Sequence, residues 1–129
     1  MAIASYIDED TDIHHIFPQA YCEKNNLPRM KWNSVVNKTP IYASSNRSIG
    51  GHAPSIYLGT MANKGLTQVK IQEAIQSHKV NYTYLAADDF DSYFIDRAKQ
   101  LLNRIEKAKG KTITGRDSEE TIREYGVSL

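Results

Sequence analysis

The chain has 129 residues, 40% of them hydrophobic and 24% charged, with a formal net charge of +1. That length suits one domain able to bury its own core, residues 1–129, and no apolar run reaches the roughly 18–20 residues of a membrane span. The single cysteine, Cys22, excludes an internal disulfide or a cysteine zinc cluster and points to a reducing, cytoplasmic setting, with Cys22 itself an inert packing residue. The opening MAIASYIDEDTD turns acidic where a leader is basic and then apolar, so no signal peptide is expected.

TDIHHIF predicts a short strand, ended by Pro18, which cannot continue a ladder. PQAYCEKNN predicts a short helix with Pro18 near its first position, and Asn25-Asn26-Leu27-Pro28 is a break. Thr39 to Ala43 reads as a returning strand after Asn37. Ser44 to Ile49 reads as a helical turn that Gly50-Gly51 stops. A further short helix starts at Pro54 and carries Tyr57, Leu58 and Met61. Past Gly65 the chain is richer in helix formers, with a helix expected over 67–78. A long helix, capped by Asp88 or Asp89, should run to about Ala108, and Gly110 ends it. Its apolar positions, from Phe90 through Phe94 and Ala98 to Ile105, form one buried stripe. A last short helix is expected over 118–125. The class is therefore α+β, with a minimal hairpin that must pack on helices to be stable.

Charge is unevenly spread. Residues 97–116 carry Arg97, Lys99, Arg104, Lys107, Lys109, Lys111 and Arg116 against Glu106 alone. Such a stripe can bind phosphates by counterion release. It can equally be a solvated helix face whose basic end suits the helix dipole. Trp32, Tyr82, Tyr84 and Tyr93 are expected in the core or at an interface rather than stacked on bases, and His78 is expected at the surface.

The informative constellation is the adjacent pair His14-His15, followed by Asn37 and Asn46. On a strand, neighbouring side chains point to opposite faces. One histidine can therefore bind a metal while the other acts on a different group. Histidine titrates near neutral pH and so serves as a general base without much tuning. Asp12 lies on the strand face of His14 and can add a carboxylate to a metal site; alternatively it merely starts the strand.

His14-His15-Ile16-Phe17-Pro18, with Asn37 and then Asn46 nine residues later, resembles the HNH (ββα-metal) nucleases. The blocks DIHHIFPQAYC, VVNKTPIYA, SNRSIGG and APSIYL narrow the resemblance to the C-terminal nuclease domain of GmrSD-type, modification-dependent (type IV) restriction enzymes. The resemblance covers roughly residues 10–62 and implies a ββα-metal core there, a short hairpin plus helix, with residues 66–129 as a mainly helical extension. It implies that His14 and Asn46 bind one divalent ion, that His15 activates water, and that Asn37 holds the hairpin loop and orients the base. It implies DNA as substrate, and cleavage leaving a 5′-phosphate and a 3′-hydroxyl, in restriction of foreign or modified DNA. It also implies an N-terminal NTP-dependent domain in the parent protein.

Arg47 is placed to contact a phosphate as a bidentate donor, with Lys38 and His52 as further candidates for nucleic-acid binding. Many relatives carry Asp where this chain has His14. A neutral His/Asn ligand set is softer than a carboxylate, so Mn²⁺, Ni²⁺ and Zn²⁺ join Mg²⁺ as candidate ions. Cutting both strands with a single-metal site favours two copies acting together, a homodimer. Two other readings stay open: a DNA-binding or docking module that kept the fold without turnover, and an HNH nuclease acting on RNA.

Overall fold

The structure is a computed structural model that describes residues 11–42 and 51–129. The described chain is α+β and mostly helical, built around one two-stranded antiparallel hairpin. Strand β1, Thr11–His15, pairs with β2, Lys38–Tyr42, in a register that sets His14 opposite Thr39 and His15 opposite Lys38. Pro40 stands opposite Ile13, which a two-stranded ribbon tolerates because each strand keeps one edge free of ladder bonds. The helical turn expected over 44–49 lies outside the described residues.

Between the strands the chain folds as helices α1, Gln19–Lys24, and α2, Arg29–Trp32, and a 3-10 turn, Val35–Asn37. Helix α2 is not visible in the sequence. At four residues it shows no hydrophobic period, and it forms because Pro28 sets an extended entry and Trp32 is buried. Beyond the hairpin come α3, Pro54–Asn63; α4, Gln68–Ser77; α5, Tyr82–Ala86; α6, Phe90–Lys109; and α7, Glu119–Tyr125.

Side-chain caps set most of these starts. Thr67, Asn81, Asp89 and Ser118 each accept from a backbone N–H in the first turn of the helix that follows. Helix α3 has no such local cap. Asp88, itself in the left-handed region at φ 56°, instead reaches across and accepts from both the N–H and the hydroxyl of Ser55, at 2.8 and 2.6 Å. Gly110, at φ 65°, ends α6 as expected, because only glycine enters that conformation without strain.

The core joins both parts of the chain. Phe17, from the turn after β1, packs its ring 4.7 Å from that of Tyr93 and 5.2 Å from that of Phe90 on α6. Trp32, Tyr57 and Leu85 are buried with them. On α6 the buried face covers Phe90, Tyr93, Phe94, Arg97 and Ala98, and then stops. Ile105 is 44% exposed, so the stripe expected to bury it does not extend that far. The physical reason is that α6 packs on α5 and on the 3-10 turn, and its 20 residues outrun both. No helix among the described residues is long and apolar enough to cross a membrane.

Candidate functional site

The site is built on the turn that leaves β1. Asn37 is completely buried and uses its amide in every direction. Its Oδ1 accepts from the Phe17 N–H at 2.8 Å and from the Tyr93 hydroxyl at 2.9 Å. Its Nδ2 donates to the carbonyls of Phe17 and Trp32, both at 2.9 Å. The Ile16 N–H donates to the Asn37 carbonyl at 2.8 Å, and the Tyr57 hydroxyl donates to the Ile16 carbonyl at 2.8 Å. The Ile16–Phe17 peptide group is therefore clamped from both sides, and the His15–Ile16 group is held through its N–H. A buried amide is retained at this cost only when every polar group finds a partner, which is the case here.

The two histidines diverge as strand geometry requires. His14 shares its face with its register partner Thr39, whose hydroxyl lies 2.8 Å from Nδ1 of His78. That face is turned toward the helical part of the chain. His15 shares the other face with Lys38. Its Nε2 is 3.2 Å from Oδ1 of Asn33, and its ring meets Trp32 edge-on at 5.6 Å between centroids. The Arg29 guanidinium lies 6.0 Å from the centre of the Trp32 ring. His15, Lys38, Trp32, Asn33 and Arg29 thus gather at one end of the hairpin. No sequence signal places Trp32, Asn33 and Arg29 beside His15, because α2 reaches it only through the tertiary fold.

The same end of the hairpin is held from below by α6. Arg97 is 5% exposed and spends its guanidinium on backbone. It donates to the carbonyls of Val35, Val36 and Lys38 around the 3-10 turn, and to that of His78 at 3.2 Å. Arg97 therefore does not belong to the basic stripe read from the sequence. Arg116 leaves that stripe too, since it pairs with Glu106 at 3.1 Å and donates to the Leu129 carbonyl. His78 is likewise no plain surface residue: it is partly buried, and burial, then the Arg97 charge, hold its imidazole below the usual range. Tyr93 and Trp32 are core residues, as expected. Cys22 is buried, and burial foremost, then Glu23, pushes its thiol up to about 12, so it is no nucleophile.

Of the other candidates, His52 is exposed just before α3. Asn46, Arg47 and the side chain of Asp12 lie outside the described residues. Among the described residues no three His, Cys, Asp or Glu side chains are grouped to hold a metal ion. Of the expected ligands, His14 alone has a described side chain.

No protein-family model matches the chain, and no solved structure matches it. The chain is similar to the uncharacterized protein MJ0686 of Methanocaldococcus jannaschii, 33% identical over 122 residues. That match covers 86% of this chain, a span too long to be confined to the hairpin region or to the helices beyond it. It covers 20% of the archaeal protein, so this chain spans about a fifth of that relative's length.

Proposed function

We propose that this chain is an HNH-type nuclease domain with a ββα-metal core, cutting DNA phosphodiester bonds with His15 as the general base. The observation that carries this reading is the placement of His15. The backbone of the next two residues is held through Asn37 and Tyr57, and the His15 ring is steadied by Trp32 and Asn33, with Lys38 opposite it in the ladder. Pre-positioning of this kind is what general-base catalysis demands of a side chain. His15 takes a proton from water as the water oxygen attacks phosphorus, and the bond from phosphorus to the 3′ oxygen breaks, the oxygen keeping the electron pair and taking a proton from solvent. Lys38, opposite His15 in the ladder, would contact a phosphate bound on that side. A divalent ion held by His14 and Asn46 would neutralise the phosphate when bound. Restriction of foreign or modified DNA is the biological setting that the sequence resemblance implies.

The test is nicking of supercoiled plasmid by the purified chain and by His15→Ala, with Mg²⁺, Mn²⁺, Ni²⁺, Zn²⁺ or EDTA. Metal-dependent nicking by the wild type, lost in His15→Ala while DNA binding and the unfolding curve stay unchanged, supports the proposal. Equal behaviour of the two proteins with every ion sinks it in favour of a docking module. A parallel RNA panel separates the two nucleic-acid substrates.

A further inference from the structure

We propose that Asn33 is a positioning residue that fixes the His15 ring with its proton on Nε2, leaving Nδ1 as the proton acceptor. This inference rests on the reading of His15 as the general base. An amide oxygen only accepts a hydrogen bond. With Asn33 Oδ1 at 3.2 Å, the neutral ring carries its hydrogen on Nε2, and the remaining lone pair sits on Nδ1. The tautomer of a working histidine is set by the bond made at its other nitrogen, and here that bond comes from a side chain 18 positions away.

The distance between the two residues is itself fixed. Asn37 grips the Phe17 backbone, two residues after His15, and the carbonyl of Trp32, one residue before Asn33. Trp32 is buried and also meets the His15 ring edge-on, so the ring cannot rotate away from Asn33 without losing that contact. The Asn33 backbone is anchored as well, since its N–H donates to the Arg29 carbonyl at 2.9 Å. One buried amide thus holds the base and its orienter in register. The Asn37 side chain bonds to Phe17, Trp32 and Tyr93, and so acts on the His15 ring through these two segments. In the proton-transfer step, the water proton passes to Nδ1 while the Nε2–H stays on the ring, donated to Asn33, and steadies the resulting imidazolium.

The experiment is nitrogen-15 NMR of the histidine rings in the full chain at neutral pH with EDTA, combined with cleavage kinetics. Wild type should show His15 protonated at Nε2, with the ring-nitrogen shift signal of that tautomer. Asn33→Ala should lose that signal and show mixed tautomers while the backbone amide spectrum stays unchanged. Asn33→Asp, which restores an acceptor, should restore the signal. In cleavage, Asn33→Ala should lower kcat about fivefold, the factor that one net hydrogen bond represents, with KM unchanged, and Asn33→Asp should recover the rate. A wild-type ring protonated at Nδ1, or ring signals unchanged in Asn33→Ala, overturns the assignment. Absence of cleavage by the wild type with every ion overturns the nuclease reading instead, and the spectra then decide the part played by Asn33 separately.

Discussion

Replacing Asn37 by alanine should cost a large part of the folding free energy, although the residue is polar and carries no charge. The magnitude follows from its bonds. The side chain makes four hydrogen bonds in a completely buried position. Once it is removed, the Tyr93 hydroxyl still has the Val36 carbonyl at 3.2 Å, and the Phe17 carbonyl keeps a weak contact with the Cys22 thiol at 3.5 Å. The Phe17 N–H and the Trp32 carbonyl lose the partner that the Asn37 side chain gave them. Each buried orphan costs roughly 1–3 kcal/mol, so Asn37→Ala should lose about 2–6 kcal/mol of a total near 5–15. Asn37→Asp should also be destabilised, because it aims a carboxylate oxygen at two carbonyls. Tyr93→Phe removes one hydroxyl proton shared between Asn37 Oδ1 and the Val36 carbonyl, each of which keeps another donor, and should cost only about 1 kcal/mol. Urea unfolding followed by circular dichroism measures all three. A loss below about 1 kcal/mol for Asn37→Ala, with an unchanged urea slope, would refute the idea that this amide pins the turn.

Three further outcomes are expected. Arg97→Met should destabilise by roughly 2–4 kcal/mol, since the carbonyls around the 3-10 turn lose a buried charged donor, and Arg97→Lys should recover only part because an ammonium cannot span them; equal unfolding midpoints for wild type and Arg97→Met would contradict this. The His78 imidazole binds its proton at lower pH in the fold than in the unfolded chain, for which the ordinary value is about 6.5. Its contribution to stability is therefore complete above that value and is lost as pH falls through the lower folded value. Between pH 7 and 5 the wild type should lose more stability than His78→Gln, and parallel unfolding-versus-pH curves would show that His78 plays no part. Finally, Cys22 should resist a thiol reagent in native protein at pH 8 and react at once in denaturant; fast native labelling would mean that the α1 packing is wrong.

Much of the architecture was legible in the residue order because it is written in local chemistry. Thr67, Asp89 and Ser118 announce helix starts, Gly110 announces an end, and the spacing of Phe90, Phe94 and Ala98 announces a buried face. The alternation of a strand is enough to send His14 and His15 to opposite sides. Short elements escaped, namely Arg29–Trp32 and Tyr82–Ala86, because four or five residues carry no readable period.

The surroundings of the candidate base were decided only by tertiary structure. Nothing in the order of residues tells that Asn33 meets His15, that Arg97 leaves the basic stripe to bind backbone, or that His78 joins Thr39. Composition and spacing therefore determined the class of element and the alternation of the two histidines. The partners of His15, and the burial that turns Asn37 from a turn residue into a structural clamp, came from the packing of α2 and α6 on the end of the hairpin. The reason is physical: a hydrogen bond between residues 18 or 59 positions apart leaves no trace in local propensity, and a buried polar group is satisfied only once the whole core has closed around it.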